Sequence, residues 1–467
     1  MSRVHKKTLV VDGITPVSAY ATMRDRSKSG SFLLESVVQG ERWGRYSVLG
    51  YRPKEHVIIR AVSGVDPFEA FKARMPSAGE VSSDVAERLA EAYVGVVAYD
   101  VVHSATKVNS WPELSDGRPI ARLVGGSTVV VFDNLTHTAT IAAHDIEDLN
   151  RAVHDLESLS PLLPMLPPDA TAWPQDIEVD IADSAYEAGV ERIKDYIRAG
   201  DAFQVVYART FSVPVGAADP FDVYRALCVL SPAPYMYLLE FPETSDAPRV
   251  AIAGASPETL VRVEGRTVTL RPIAGTRRRG RSPEEDAQLA AEMLSDPKER
   301  AEHVMLIDLA RNDIGRVAIP GTIKLPTQMQ VERYSHVMHI VSEVTGEVAA
   351  AAGPWDVLSA TFPAGTLSGA PKIRAMQIIR ELERRPRGVY GGAIGYVTQG
   401  LELDFAIGIR TVVMQNGRFE VTAGAGIVAD SVPSLEVKET RNKARAALAS
   451  VCAAKQRRDE GSFLGPS

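Results

Sequence analysis

Only two cysteines occur in the 467 residues, Cys228 and Cys452, each in an apolar, helix-like run, a scarcity that fits a reducing compartment. Long apolar runs are missing from the start of the chain: MSRVHKKTLVVDG holds an apolar stretch of three residues, far short of a signal-peptide core or a membrane span. The expected location is the cytoplasm, with no membrane partner. An excess of positive charge is missing as well. With 52 basic against 59 acidic residues and a formal charge of -7, the chain has no broad cationic field for a nucleic-acid backbone. There is no internal repeat and no low-complexity tract. What remains is 45% hydrophobic and 24% charged, the composition of a globular protein, and long enough for two or three domains or one large composite unit with a deep site.

Residues 1–157 read as strand-rich, with β-branched runs such as Val57-Ile58-Ile59 and Thr128 to Phe132 between turn residues. Residues 158–176 carry Pro161, Pro164, Pro167, Pro168 and Pro174, which remove backbone donors and predict an extended connector. Residues 177–455 alternate helical and strand patterns. Tyr186, Val190, Ile193 and Ile197 share one face of a helix opening near Asp183 or Ser184, and Ser282-Pro283-Glu284-Glu285 has the cap and first-turn proline of another. Thr411 to Gln415 and Arg418 to Thr422 flank Asn416-Gly417, a strong hairpin signal. Antiparallel pairing makes the expected class α+β rather than a doubly wound parallel sheet.

Glu436, Glu439 and Lys443 fall at i, i+3 and i+7 of the helical run SLEVKETRNKARAAL, so two carboxylates and an ammonium share a stripe. On an isolated helix such spacing is more often a solvated face with Glu–Lys pairs. A second acidic helix, Lys298 to His303, runs into apolar Val304 to Ile307 and sets Glu302 where the helix enters the core. Mg2+ takes few carboxylates together with water and substrate oxygens, so one glutamate from each helix would suffice; spacing alone does not choose between the readings.

His336 and His339 lie three apart on a predicted strand and point to opposite faces, which argues against a shared zinc. His339, on the face of Val337 and Val341, is either a packed histidine or a catalytic one. Three glycine-bearing segments could cradle an anion or merely turn the chain: Gly275-Thr276 before Arg277 to Arg279, Gly365-Thr366 opening GTLSGAPK, and Gly424-Ala425-Gly426 after the second hairpin strand. GTLSGAPK is not a Walker loop, because Pro precedes its Lys and Ile follows it. Arg410 interrupts an apolar strand, where a guanidinium is costly unless it meets an anion.

In order along residues 33–447, the phrases LLESVVQGERWGRYSVLGY, GDAFQVVYARTF, SPAPYMYLL, GASPETLVR, RPIAGTRRRG, AEHVMLIDLARNDIGR, ERYSHVMHIVSEV, FPAGTLSGAPKIRAMQII, YGGAIGY, IGIRT, AGAGIVADS and ETRNKARA resemble the anthranilate synthase large components, within the chorismate-utilising enzymes. The resemblance implies two stacked antiparallel β-sheets flanked by helices in an αββα sandwich, with chorismate in the cleft. It assigns Mg2+ to Glu302 and Glu439, with Glu436 nearby. It gives contacts to the substrate to Gly275, Thr276, Tyr390, Arg410, Gly424, Ala425, Gly426 and Lys443. Glu258 is implied as general acid, His339 as the histidine needed for turnover, and Thr366 as an orienting residue.

Two positions separate the relatives. Those that use water as nucleophile carry a lysine base where this chain has Gln204, and aminodeoxychorismate synthases carry a lysine where it has Ala274. Both point to the anthranilate branch, although an enzyme releasing the aminodeoxy product could share them. A non-catalytic ligand-binding paralogue would be expected to lack Glu302, Glu439 or His339. The resemblance further implies a separate glutamine amidotransferase subunit as ammonia source, hence a hetero-oligomer. It also implies a tryptophan-feedback site at Glu35, Ser36, Pro234, Tyr235 and Met236. Arg278 departs from the family, which commonly has proline there.

Overall fold

Asn416 and Gly417 both take positive φ, 50° and 72°, as a two-residue type I′ turn requires, and join the strands Thr411–Gln415 and Arg418–Ile427 with Gln415 opposite Arg418. The hairpin belongs to a computed structural model that describes residues 4–25, 27–36, 45–62, 65–75, 82–106, 108–110, 117–334 and 337–461. Among these residues the strands form two sheets, one of twelve strands and one of ten. The strand pairs are antiparallel, so the chain is α+β as expected.

Both sheets draw strands from either side of the proline-rich connector. Ser31–Glu35 pairs with Tyr235–Phe241 in the larger sheet, and Tyr93–Val97 with Ala393–Val397 in the smaller. Residues 158–177 are neither helix nor strand, and Ser160 N–H donates to Thr22 Oγ1 at 3.1 Å. The inner faces meet through Phe32, Val48, Tyr237 and Ile252 of one sheet and Val94, Val96, Val124 and Ile394 of the other. The outer face of the larger sheet packs on helices Pro16–Asp25, Ile146–Glu157, Pro220–Leu230 and Pro433–Gly461. That of the smaller packs on Pro67–Arg74, Pro297–Gly315, Pro354–Thr361 and Lys372–Leu382. The result is an αββα sandwich.

Local signals act as their chemistry requires. Ser282 caps Pro283–Ser295 by accepting from Glu285 N–H at 3.2 Å. Asp183–Arg198 buries Tyr186, Val190 and Ile193, with Tyr186 stacked on Tyr207 at 4.5 Å. Cys228 and Cys452 are free and lie on helices. No helix among the described residues is long and apolar enough to cross a membrane.

Three local expectations need correction. Arg410 is not inside a strand: it turns the corner between Leu403–Ile407 and Thr411–Gln415 at φ 50°. Gly424-Ala425-Gly426 does not follow the second hairpin strand but lies within it, because that strand extends to Ile427. Gly275 and Thr276 sit in the strand Ile273–Arg278, where Gly275, at φ 60°, occupies a register shift rather than a loop.

Candidate active site

At one end of the larger sheet stand Gln204–Pro214 and Arg418–Ile427; Ile273–Arg278 forms an edge of the smaller sheet. A cavity of about 800 Å3 lies between them and is completed by side chains of helices Pro297–Gly315 and Pro433–Gly461. It gathers sixteen of the residues singled out from sequence: Gln204, Pro234, Glu258, Ala274, Gly275, Thr276, Glu302, His339, Thr366, Tyr390, Arg410, Gly424, Gly426, Glu436, Glu439 and Lys443. Ala425 is not among them. Strand alternation turns its side chain to the opposite face, into the cluster of Tyr186, Val190 and Tyr207. His336 lies outside the described residues.

Glu258 occupies the link where the chain leaves strand Val250–Ser256 of the larger sheet and enters Thr259–Glu264 of the smaller. Burial pushes its carboxyl up to about 7, against the downward pull of the Thr366 hydroxyl, which donates to Oε1 at 2.8 Å, and of Lys443. Near neutrality it is therefore divided between acid and base, as a proton donor must be. If Thr366 acts through that hydrogen bond, Thr366→Ala should raise the Glu258 pKa. A shift of the alkaline limb of the pH–rate profile to higher pH would show it; an unmoved limb would detach Thr366 from Glu258.

His339 Nδ1 lies 3.0 Å from the Gly275 carbonyl and 3.1 Å from Thr276 Oγ1. A carbonyl only accepts, so Nδ1 carries the hydrogen and Nε2 keeps the lone pair. Burial lowers this imidazole from its ordinary value, against the upward pull of the Gly275 carbonyl and with the help of Arg410, which favours the neutral ring.

The Arg410 guanidinium makes no side-chain hydrogen bond or ion pair among the described residues, and burial lowers its pKa. A half-buried cation on a cavity wall, with no such partner among the described residues, calls for an anion. Lys443 Nζ spans Glu439 at 2.8 Å and the Gly424 carbonyl at 3.1 Å. Gly424 and Gly426 keep the wall close: a Cβ on Gly424 would sit 2.7 Å from Tyr390 Oη, and one on Gly426 2.8 Å from Gln204 Nε2.

Glu302, Glu436 and Glu439 contribute hard oxygen donors from two helices. Glu302 Oε1 accepts from Gln204 Nε2 at 3.2 Å, and burial followed by Glu439 raises the Glu436 carboxyl. Among the described residues no three His, Cys, Asp or Glu side chains form a ready-made metal centre. That donor set fits Mg2+, which is content with one or two carboxylates and takes its other oxygens from water and substrate, and it fits zinc poorly.

Sequence reasoning missed Lys298, which also lines the cavity and acts on Glu436. Its position one turn before Glu302 was the available signal. A second cavity of about 710 Å3 between the sheets shares Tyr390 and Thr422 with the first but lacks its convergent glutamates.

Of the residues expected to hold tryptophan, Glu35, Tyr235 and Met236 lie on neighbouring strands, with Glu35 opposite Met236, and Ser36 and Pro234 stand just beyond their ends. Glu35 accepts from the Tyr224 hydroxyl at 2.5 Å, and burial raises its carboxyl. Ser36 Oγ is buried without a partner among the described residues. Tyr235 turns its hydroxyl to Asp404 at 2.9 Å and Thr259 at 3.0 Å.

Comparison with known proteins places this geometry in a family. The model of the family described as chorismate binding enzyme matches residues 32–449. The chain is 44% identical to anthranilate synthase component 1 of Pseudomonas aeruginosa, across 96% of this chain and 95% of that one. It is 43% identical to the protein of the same name from Thermus thermophilus, across 96% and 98%. The crystal structure of anthranilate synthase component I from Streptococcus pneumoniae superimposes with a TM-score of 0.74 at 34% identity, covering 94% of this chain and 98% of that one.

Proposed function

The chain belongs to the chorismate-binding enzyme family, and from that premise we propose that it is the large component of an anthranilate synthase, converting chorismate and ammonia to anthranilate and pyruvate. The observation that carries the reading is convergence: Glu302 and Glu439, from separate helices, line one cavity with Glu258 and with the half-buried Arg410, whose guanidinium has no hydrogen bond or ion pair among the described residues.

Glu302 and Glu439, with Glu436 beside them, would hold Mg2+, which when bound supplies positive charge to a substrate carboxylate. Arg410 and Lys443 answer the negative charge of the dianion from the protein side, and the small residues Gly275, Gly424 and Gly426 let the substrate approach the backbone. Glu258 gives its proton to the departing ring hydroxyl, which leaves as water while ammonia bonds to the ring. In the second step Nε2 of His339 accepts the proton of the ring carbon that bears the new amine as the bond between the ring and the enolpyruvyl oxygen breaks; the ring becomes aromatic, and the released enolpyruvate takes up a proton at its methylene carbon to become pyruvate. Gln204 donates its amide to Glu302 and cannot serve as a base toward water. Ala274, which also lines the cavity, cannot form a covalent adduct.

Purified protein given chorismate, Mg2+ and ammonium should form anthranilate and pyruvate in equal amounts. An amine that keeps its enolpyruvyl group would instead mark a sister enzyme that stops at the aminodeoxy product. The proposed ammonia source is a separate glutaminase subunit, and the proposed feedback inhibitor is tryptophan at Glu35, Ser36, Pro234, Tyr235 and Met236. Pro234 lines the catalytic cavity too, which gives that site a short route to the chemistry. Ser36→Ala should therefore blunt tryptophan inhibition at unchanged kcat; undiminished inhibition would remove Ser36 from the feedback site.

A further inference from the structure

Three segments bearing cavity residues meet at one buried guanidinium that the chemistry above leaves unused. Arg387 donates from Nη1 to the Leu367 carbonyl at 2.6 Å, beside Thr366, and from Nη2 to the Val206 carbonyl at 2.8 Å, on the strand that begins at Gln204. Its plane lies over Tyr99 at 4.6 Å and 5.4 Å from the centroid of Tyr390. Nε and Nη2 pair with Glu383 at 2.8 and 2.6 Å, and Glu383 Oε1 also accepts from Ala208 N–H at 3.0 Å. Asp100 fixes the turn that presents the arginine, accepting from Arg387 N–H at 3.2 Å and Gly388 N–H at 2.7 Å.

The side chains of Arg387 and Glu383 are 2% and 6% exposed, so this ion pair is almost wholly desolvated. Such a pair is a poor source of stability, because packed apolar residues of similar volume commonly do as well or better. What a planar fork offers that apolar packing does not is direction: each N–H fixes the carbonyl it meets. Here the carbonyls belong to the segments that carry Thr366 and Gln204, and of the two rings beside the guanidinium the farther, Tyr390, lines the cavity. We propose that Arg387 and Glu383 are positioning residues of the active cavity, setting Thr366, Gln204 and Tyr390 in place from beneath without touching substrate. The proposal rests on the reading of this cavity as the catalytic one.

Glu383→Gln and Arg387→Met introduced together remove both charges and strand neither. With ammonium as nitrogen source, the folded double variant should lose about 100-fold in kcat, the scale of a 1 Å misplacement, while KM for chorismate stays within about threefold. The alkaline limb of its pH profile should move upward as the Thr366 hydrogen bond to Glu258 loosens. Arg387→Lys keeps the charge without the fork and should recover only part of kcat. Wild-type kcat and pH profile in the folded double variant overturn the proposal, as does a parallel fall of kcat, KM performance and unfolding cooperativity, which marks a purely structural pair. If the double variant fails to fold, Arg387→Lys decides alone: reduced kcat at unchanged KM supports positioning, and wild-type kcat refutes it. Anthranilate formation by the wild type in the same assay keeps the functional reading separate from this outcome.

Discussion

Glu258→Gln is expected to lower kcat by about 10^2 to 10^4-fold, the range ascribed to a positioned general acid, with little change in KM for chorismate. Glutamine keeps the shape and still accepts from the Thr366 hydroxyl, but it has no acidic proton for the ring oxygen. The sign of the pH dependence follows from the direction of the shift. The acid acts when protonated, and burial has carried its pKa up to about 7, so kcat/KM in the wild type should fall as pH rises through that region at constant free ammonia. In the variant that limb should vanish along with the rate. A variant that keeps the limb would assign the titration to another group and leave Glu258 without its role.

The second large effect concerns Glu439. Glu439→Gln should suppress turnover by more than about 10^3-fold, equivalent to the several kcal/mol that charge stabilisation by a metal supplies, and should do so in a protein with the wild-type circular dichroism spectrum. The fold should survive because Glu439 faces the cavity and its ion pair is with half-exposed Lys443 one turn away. Mg2+ titrations should separate the causes. A ligand role predicts that the variant binds Mg2+ more weakly in the presence of chorismate, whereas normal activity at ordinary Mg2+ would remove Glu439 from the metal site.

Much of this architecture was legible because local chemistry and tertiary packing agree. Asn416-Gly417 specified its hairpin, Ser282-Pro283 its helix start, and the prolines after Ser158 a connector without regular structure. The stripe of Glu436, Glu439 and Lys443 was legible as geometry but not as function, since a solvated face has the same spacing. Only the arrival of Glu302 from a helix distant in sequence distinguishes the two, and no periodicity encodes that meeting.

Arg410 shows the opposite failure. Its apolar neighbours suggested a continuous strand, but the chain changes sheets there, between Leu403–Ile407 and Thr411–Gln415, and the corner is what delivers the guanidinium to the cavity. Placing Gly424 to Gly426 inside a strand rather than after it has a similar consequence. The period of two presents both glycines to the cavity and hides Ala425. Glu383 and Arg387 stand four apart, a spacing commonplace on exposed helices, but they lie beyond the end of helix Lys372–Leu382 with Pro386 between them, and they are buried, which no periodicity announces.

The claim on which everything else depends is that this chain holds its dianionic substrate through a divalent ion shared by two helices. Calorimetric titration of chorismate into the purified protein, without ammonia and with or without Mg2+, tests it most directly. Chorismate affinity should rise with Mg2+ in the wild type, and that dependence should be lost in both Glu302→Gln and Glu439→Gln. Tight binding that is indifferent to Mg2+, or a Mg2+ dependence that survives both substitutions, would contradict the account.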